Sequence, residues 1–356
     1  MLDSSIPREA PGEVPREAPR EAEDALEAIE VYYRQGWTDG LPVVPPTEAS
    51  VSAMLHAARL APDQVIGRVS TRRRTLTAEK VAINAVMSGC LPEYMPVVVT
   101  AIEALCDPAF SVHGPSASTS GQAILLIVNG PVASRLGING GENCFGPGIR
   151  ANATIGRAIR LILMNGLGAL PRVLDRSVFG HPGKFTYCIA ENEAESPWPP
   201  LHVERGCPPG SSAVTVFAAE SPHQVTNGTA RSPEEILSTV ADTMSVAGRL
   251  ALSGQEFCVV VGPQHMSVIA KAGWGKGEIR RFLRERAQRS ALDLRRAGRL
   301  PGAIGPGDAE KLFSAVLDPD DILVVAAGGW AGSYSAVIAG WAGRDHSRAV
   351  TKIMRA

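Results

Sequence analysis

The residues of this chain best placed to do chemistry lie between Asn139 and Arg157. There a loop with glycines at 140, 141, 146 and 148 carries one thiol, Cys144, into a helix-like segment that opens with Arg150 and Asn152. Glycine lets backbone N–H groups approach a ligand closely, and a helix start adds unpaired donors and partial positive charge. Cys144, Arg150 and Arg157 together suit one anionic group or one thiolate; a glycine-rich turn capping a core helix suits the same pattern. Cys90 sits between two helices just ahead of an N-terminus, a placement that depresses a thiol pKa. Cys90 or Cys144 is the expected nucleophile or redox thiol, with Asp39 or His265 handling protons.

Substrate orientation falls to Arg150, Asn152, Arg157 and Lys276, the last in the glycine-flanked loop Gly273-Trp-Gly-Lys-Gly277. The segment Trp37-Thr-Asp-Gly-Leu-Pro-Val-Val-Pro-Pro-Thr47 is stiffened by proline, so Trp37 and Asp39 are expected to be held in place. His113 opens a hydroxyl-rich loop that ends at Gly121 and suits a carboxylate or phosphate. His265 and the Gly328-Gly329 turn each follow a strand, at the edge where open α/β sheets take ligands. Glu191, Glu193 and His202 follow another strand and offer a divalent-metal set or a proton relay; acidic surface loops look the same. No dinucleotide or P-loop fingerprint is present, so the cofactor is left open, with a divalent metal compatible. No Gly-x-Ser-x-Gly elbow or Ser-His-Asp order points to a serine hydrolase.

Composition bounds these readings. The 356 residues are 45% apolar and 20% charged, enough for a sizeable core in one large domain or two ordinary ones. A net charge of −1 and 5% aromatics argue against nucleic acid as a partner. Nine basic residues against three acidic ones lie between Lys276 and Arg299, a pattern read as a solvated helix face. The cysteines are scattered without metal-ligand spacing, which with no signal peptide indicates free thiols in a cytoplasmic protein. Ile322 to Gly343 carries no charge and is long enough to span a bilayer, but its glycines indicate a buried strand, a turn and a helix instead.

Residues 1–22 repeat Pro-Arg-Glu-Ala and are expected to be a disordered tail ahead of an α/β enzyme domain, 23–356. Helices are expected from about Asp24 to Gln35, Thr47 to Arg59, Thr77 to Ser88 and Pro92 to Leu105, with Ser232-Pro-Glu-Glu235 a capping box. Strands are expected at 123–128, 185–189, 213–217, 256–261 and 322–326, placing Cys188 and Cys258 as structural residues. Their alternation with helices indicates a mixed or mostly parallel sheet covered by helices. Two similar lobes, about 23–210 and 211–356, are compatible with it.

The Trp37–Thr47 run, Ile83-Asn-Ala-Val-Met-Ser-Gly-Cys90, Pro147-Gly-Ile-Arg-Ala-Asn-Ala-Thr-Ile-Gly-Arg157, Glu191-Asn-Glu and His265 with Gly-Trp-Gly-Lys276 resemble a little-characterised bacterial family associated with UGSC-motif (seleno)proteins. The similarity covers roughly residues 28–356, while the Cys-Gly-Ser-Cys motif itself is absent. The resemblance implies a cytoplasmic bacterial enzyme tied to thiol or reductive chemistry, with Cys90 the matching thiol and a UGSC-type redox protein as partner. The expected function is therefore an enzyme, a thiol-dependent oxidoreductase or lyase, acting on a small anionic or thiol-bearing metabolite, as a homo-oligomer away from membranes. The alternatives are a metal-dependent hydrolase or lyase and a non-catalytic subunit of a redox complex.

Overall fold

Capping residues and apolar runs set the elements of the computed structural model, which describes residues 25–247, 254–343 and 345–355. The expected tail, 1–22, lies outside the described residues. The chain begins with α1 (Ala25–Arg34), α2 (Glu48–Ala57), the hairpin β1 (Val65–Val69) and β2 (Arg74–Thr77), α3 (Ala78–Met87) and α4 (Met95–Leu105). Thr47 and Thr77 cap α2 and α3, their hydroxyls accepting from Ser50 N and Lys80 N. Then come α5 (His113–Ala117), β3 (Ala123–Asn129), α6 (Pro131–Arg135), α7 (Arg150–Leu161), β4 (Cys188–Ala190), α8 (Leu201–Glu204), β5 (Ala213–Ala219) and β6 (His223–Thr226). The remainder is α9 (Pro233–Val246), β7 (Gln255–Val261), α10 (Pro263–Lys271), α11 (Lys276–Arg286), β8 (Gln288–Ser290), α12 (Ala291–Arg296), β9 (Leu312–Ser314), β10 (Ile322–Ala326), β11 (Tyr334–Gly343) and β12 (Val350–Ile353). Ser232 and Glu235 close the capping box that starts α9.

The fold is α/β around one mixed sheet in the order β10-β7-β11-β5-β3-β4, with β12 beside β5 and β6 beside β11. β3 runs parallel to β4 and antiparallel to β5, and β7 repeats this with β10 and β11. The two groups meet where Gly340 pairs with Ala219. Each also lends the other a strand, β6 to β11 and β12 to β5. Among the described residues no helix is long and apolar enough to cross a membrane.

The sheet curls until its edge strands meet. Asn192 N, just past β4, donates to Ala326 O at the end of β10 (2.7 Å), and Gly328 N donates to Gly140 O (2.9 Å). Strand alternation then sorts the core into an inside and an outside. Leu125, Ile127, Ile189, Phe217, Cys258, Val260, Leu323 and Val325 fill the interior. Ile124, Leu126 and Val128 pack outward under α3, α4 and α7, and Phe257, Val259 and Val324 under α9, α10 and α11.

Two sequence expectations are corrected. The strand expected from Phe185 begins only at Cys188, because Pro182–Lys184 forms a tight 3-10 turn. The segment after Gly332 is the strand β11 and not a helix, since its small and branched residues fill the gap between β7 and β6.

Candidate functional site

Two polar centres lie at opposite ends of β3. The first is the seam between β4 and β10. Glu191, at the end of β4, is 4% exposed, and both carboxylate oxygens are engaged. Its Oε1 accepts from Lys276 Nζ at 2.9 Å, and its Oε2 from Asn129 Nδ2 at 2.7 Å and Leu201 N at 2.6 Å. Lys276, buried at the first turn of α11, also lies 3.2 Å from Glu204 Oε2, and Arg280 one turn on grips both Glu204 oxygens. Glu193 Oε1 accepts from Asn129 Nδ2 (2.8 Å) and Gly130 N (2.7 Å) and stands 3.9 Å from His202 Nδ1. His202 and Glu204, expected two apart on one extended face, instead fall on the single-turn helix α8. The seam thus unites Glu191, Glu193, His202 and Lys276. Among the described residues no group of three or more His, Cys, Asp or Glu side chains is disposed to hold a metal ion. Glu191 is saturated with donors, which explains why this trio does not form a ligand set.

The glycine-rich loop packs against this seam. A side chain on Gly140 would collide with Ala190 O, and one on Gly329 with Glu142, so both glycines are required by close backbone approach. Cys144 lies inside the curled sheet, packed in its interior cluster, with the backbone N–H groups of Cys144, Phe145 and Gly328 exerting a weaker opposing pull on its thiol. Burial outweighs those donors and pushes the thiol up to about 11. Asn152 holds the loop in shape by bonding Asn139 N and O and Cys188 O.

Cys90 is in the other core cluster, 3.4 Å from Ser88 Oγ, with Arg150 reaching Gly89 O beside it. Burial pushes this thiol to about 11 too, against the opposing pull of Ser88, Thr154 and Arg150. Asp39 is clamped by Arg157 through bonds of 2.8 and 2.7 Å, and Trp37 stacks near Tyr32 while its carbonyl accepts from Asn165. His265 is buried within α10, its Nδ1 2.8 Å from Ser335 Oγ and its Nε2 3.3 Å from Asn227 O. Burial lowers its pKa, against the opposing bond to Asn227. Cys90, Cys144, Asp39 and His265 therefore sit among four different sets of partners.

The second centre is a shallow recess open to solvent, with a cavity volume of about 20 Å³, lined by Ser116, Gln122, Gly156, Arg160, Asp175 and Lys184 among others. The hydroxyl-rich loop contributes Ser116, which is held by Arg72 (2.6 Å), itself 3.1 Å from His113 Nδ1. Lys184 Nζ bonds both Asp175 oxygens, at 2.8 and 2.7 Å, and Ser177 Oγ at 2.6 Å. Arg160 spends one N–H on Asp175, at 3.3 Å. Burial pushes the Asp175 carboxyl up, but Lys184, Ser177 and Arg160 together hold it below its usual range. Burial likewise lowers Lys184, with Asp175 opposing.

Arg150 and Arg157 on α7 are tied to Gly89 and Asp39, while Arg160 of the same helix, which the sequence analysis did not single out, faces the recess. Its spacing, three residues beyond Arg157, was the available signal. Lys184 and Asp175 carried none, because a 3-10 turn brings them together.

In comparisons with protein-family models, with curated proteins and with solved structures, nothing matches this chain.

Proposed function

We propose that this protein is an enzyme of small-molecule metabolism that anchors an anionic group of its substrate at Arg160, beside the Lys184–Asp175 pair. One observation carries the reading: two largely buried cations face a recess against a single carboxylate, Asp175, and Arg160 has most of its donors uncommitted. A planar guanidinium matches a carboxylate or phosphate in two-pronged geometry. Arg72, bonded to Ser116 Oγ at the same wall, adds positive charge. Lys184, its pKa lowered by burial, is the titratable group placed to exchange a proton with a bound substrate. The thiol-dependent expectation gains no such support, since a neutral buried thiol is a poor nucleophile. The exposed Val178 and Phe179, in the loop between Asp175 and Lys184, are an apolar surface compatible with the homo-oligomer and redox-partner expectations. Light scattering after gel filtration checks them.

Calorimetric titration of the wild type and of Arg160→Gln with acetate, inorganic phosphate and neutral acetamide tests the assignment. Saturable binding of an anion but not of acetamide, weakened at least tenfold in Arg160→Gln, is the expected result. Equal binding of acetamide, or an unchanged affinity in Arg160→Gln, would overturn it. Arg281→Gln, at an exposed pair with Glu278, serves as the control.

A further inference from the structure

We propose, resting on the anion anchor at Arg160, that Lys184 forms a protonated imine with the carbonyl group of a 2-oxo acid. Arg160 Nη1 and Lys184 Nζ both bond one atom, Asp175 Oδ2, at 3.3 and 2.7 Å. The two nitrogens are therefore no further apart than those two bonds laid end to end, about 6 Å. In a 2-oxo acid the carbonyl carbon lies about 2.4 Å from each carboxylate oxygen. A carboxylate bonded to Arg160 thus lets that carbon sit within the roughly 3 Å that nucleophilic attack by Lys184 needs. Both cations line the same recess and share a single carboxylate, which leaves one positive charge for the carboxylate of the substrate. Ile159 and Leu163 give the recess an apolar side, and its cavity of about 20 Å³ holds little more than a water-sized group. Only the reactive head of the substrate enters, and the remainder stays in solvent.

The surroundings of Lys184 supply what the covalent step needs. Its Nζ bonds both Asp175 oxygens, at 2.8 and 2.7 Å, and Ser177 Oγ at 2.6 Å. Asp175 takes a proton from the ammonium, and the freed lone pair attacks the carbonyl carbon while the π pair of the C=O bond moves to oxygen. Burial lowers the Lys184 pKa, with Asp175 opposing, so this proton is given up more readily than from an exposed lysine. Ser177 Oγ, 2.6 Å from Asp175 Oδ1, offers a second route between the two. The proton held by Asp175 and one more from the nitrogen then leave with the oxygen as water, and the nitrogen ends doubly bonded to carbon. Ammonium and ketone have become iminium and water with the positive charge kept, so Asp175 pairs with product as it does with reactant. The iminium withdraws electrons from bonds at the adjacent carbon, the chemistry of a lyase or aldolase acting on 2-oxo acids.

The test traps the imine in the wild type with pyruvate and sodium cyanoborohydride, followed by peptide mapping of the reduced adduct. Lys184 is expected to be labelled saturably and at least tenfold faster than the exposed Lys271. Acetone, which has the carbonyl without the carboxylate, is expected to label Lys184 at least tenfold less. Lys184→Arg should lose the adduct, and Arg160→Gln should need at least tenfold more pyruvate. Labelling of Lys184 no faster than Lys271, equal labelling by acetone, or an unchanged pyruvate dependence in Arg160→Gln overturns the imine. Because the mapping and the acetone comparison use the wild type, they decide the matter if a variant fails to fold. Acetate or phosphate binding that weakens in Arg160→Gln, with no adduct at Lys184, leaves the anion anchor standing and sinks the imine alone.

Discussion

Lys276 and Glu191 are 85 residues apart in the chain, yet their side chains meet at 2.9 Å and are 2% and 0% exposed. The pair joins the first turn of α11 to the end of β4, across the seam where the curled sheet comes together. Both residues drew attention as candidate functional groups, and the structure gives them a shared structural task. A buried ion pair is costly to desolvate, and it persists here because Glu191 also takes donors from Asn129 and Leu201.

Breaking that pair from one side leaves a stranded charge. Lys276→Met is expected to lower unfolding stability by about 3–5 kcal/mol, the usual cost of an unpaired buried partner. The double variant Lys276→Met/Glu191→Gln should recover part of the loss, because no charge is then left uncompensated. Urea unfolding of the two variants checks this. Equal loss in both would mean that packing, not charge, holds the seam.

Asp39 and Arg157 make a second clamp, between the proline-stiffened loop and α7. The Asp39 and Arg157 side chains are 4% and 14% exposed, and the contact is two-pronged. Asp39→Asn is expected to cost about 2 kcal/mol, less than a fully buried pair. A proton-handling Asp39 would instead lose activity at unchanged stability. Thermal unfolding together with a turnover assay separates the two.

What the sequence made legible follows from how local each signal is. The caps Thr47, Thr77 and Ser232 act within three residues and were readable, as were the apolar strands around Leu125 and Val259. The curl of the sheet was not, because it depends on contacts such as Asn192 with Ala326, far apart in the chain. The same distance hid the convergence of Lys276 with Glu191. Glycines at 140 and 329 advertised a close approach, and the approach is to neighbouring backbone and to Glu142. The burial of the thiols was hidden for a different reason. A helix start beside a glycine loop favours a thiolate only if water or a cation reaches it, and burial is invisible in a local motif.

Glu256 gives the fold a pH dependence. Burial raises its carboxyl to about 7, although Ala349 N donates to Oε2 at 2.6 Å and Arg205 and Arg348 pull the other way. Between the ordinary glutamate range and pH 7 the native state therefore binds more protons than the unfolded chain. Stability from this group is complete below about pH 4.5 and is lost as pH rises through 7, about 3 kcal/mol in all. Glu256→Gln keeps the acceptor and removes the titration. Denaturant midpoints from pH 5 to 8 should fall for the wild type and stay flatter for the variant; parallel curves would contradict the assignment.

The thiols themselves allow the sharpest check. With Cys90 and Cys144 each pushed up to about 11 from an ordinary value of 9.0, their thiolate fractions at neutral pH drop on the order of 100-fold. Burial slows a reagent further, since both side chains sit in packed clusters. Iodoacetamide at pH 7.5, followed by peptide mapping, should label both residues at least 100-fold more slowly in the native protein than after unfolding in guanidinium. Cys106, partly exposed but likewise raised to about 11, should react faster than either because access and not ionisation sets the difference. Rapid native labelling of Cys144 would mean that burial does not shield its sulfur, and would return the glycine loop to the centre of the chemistry.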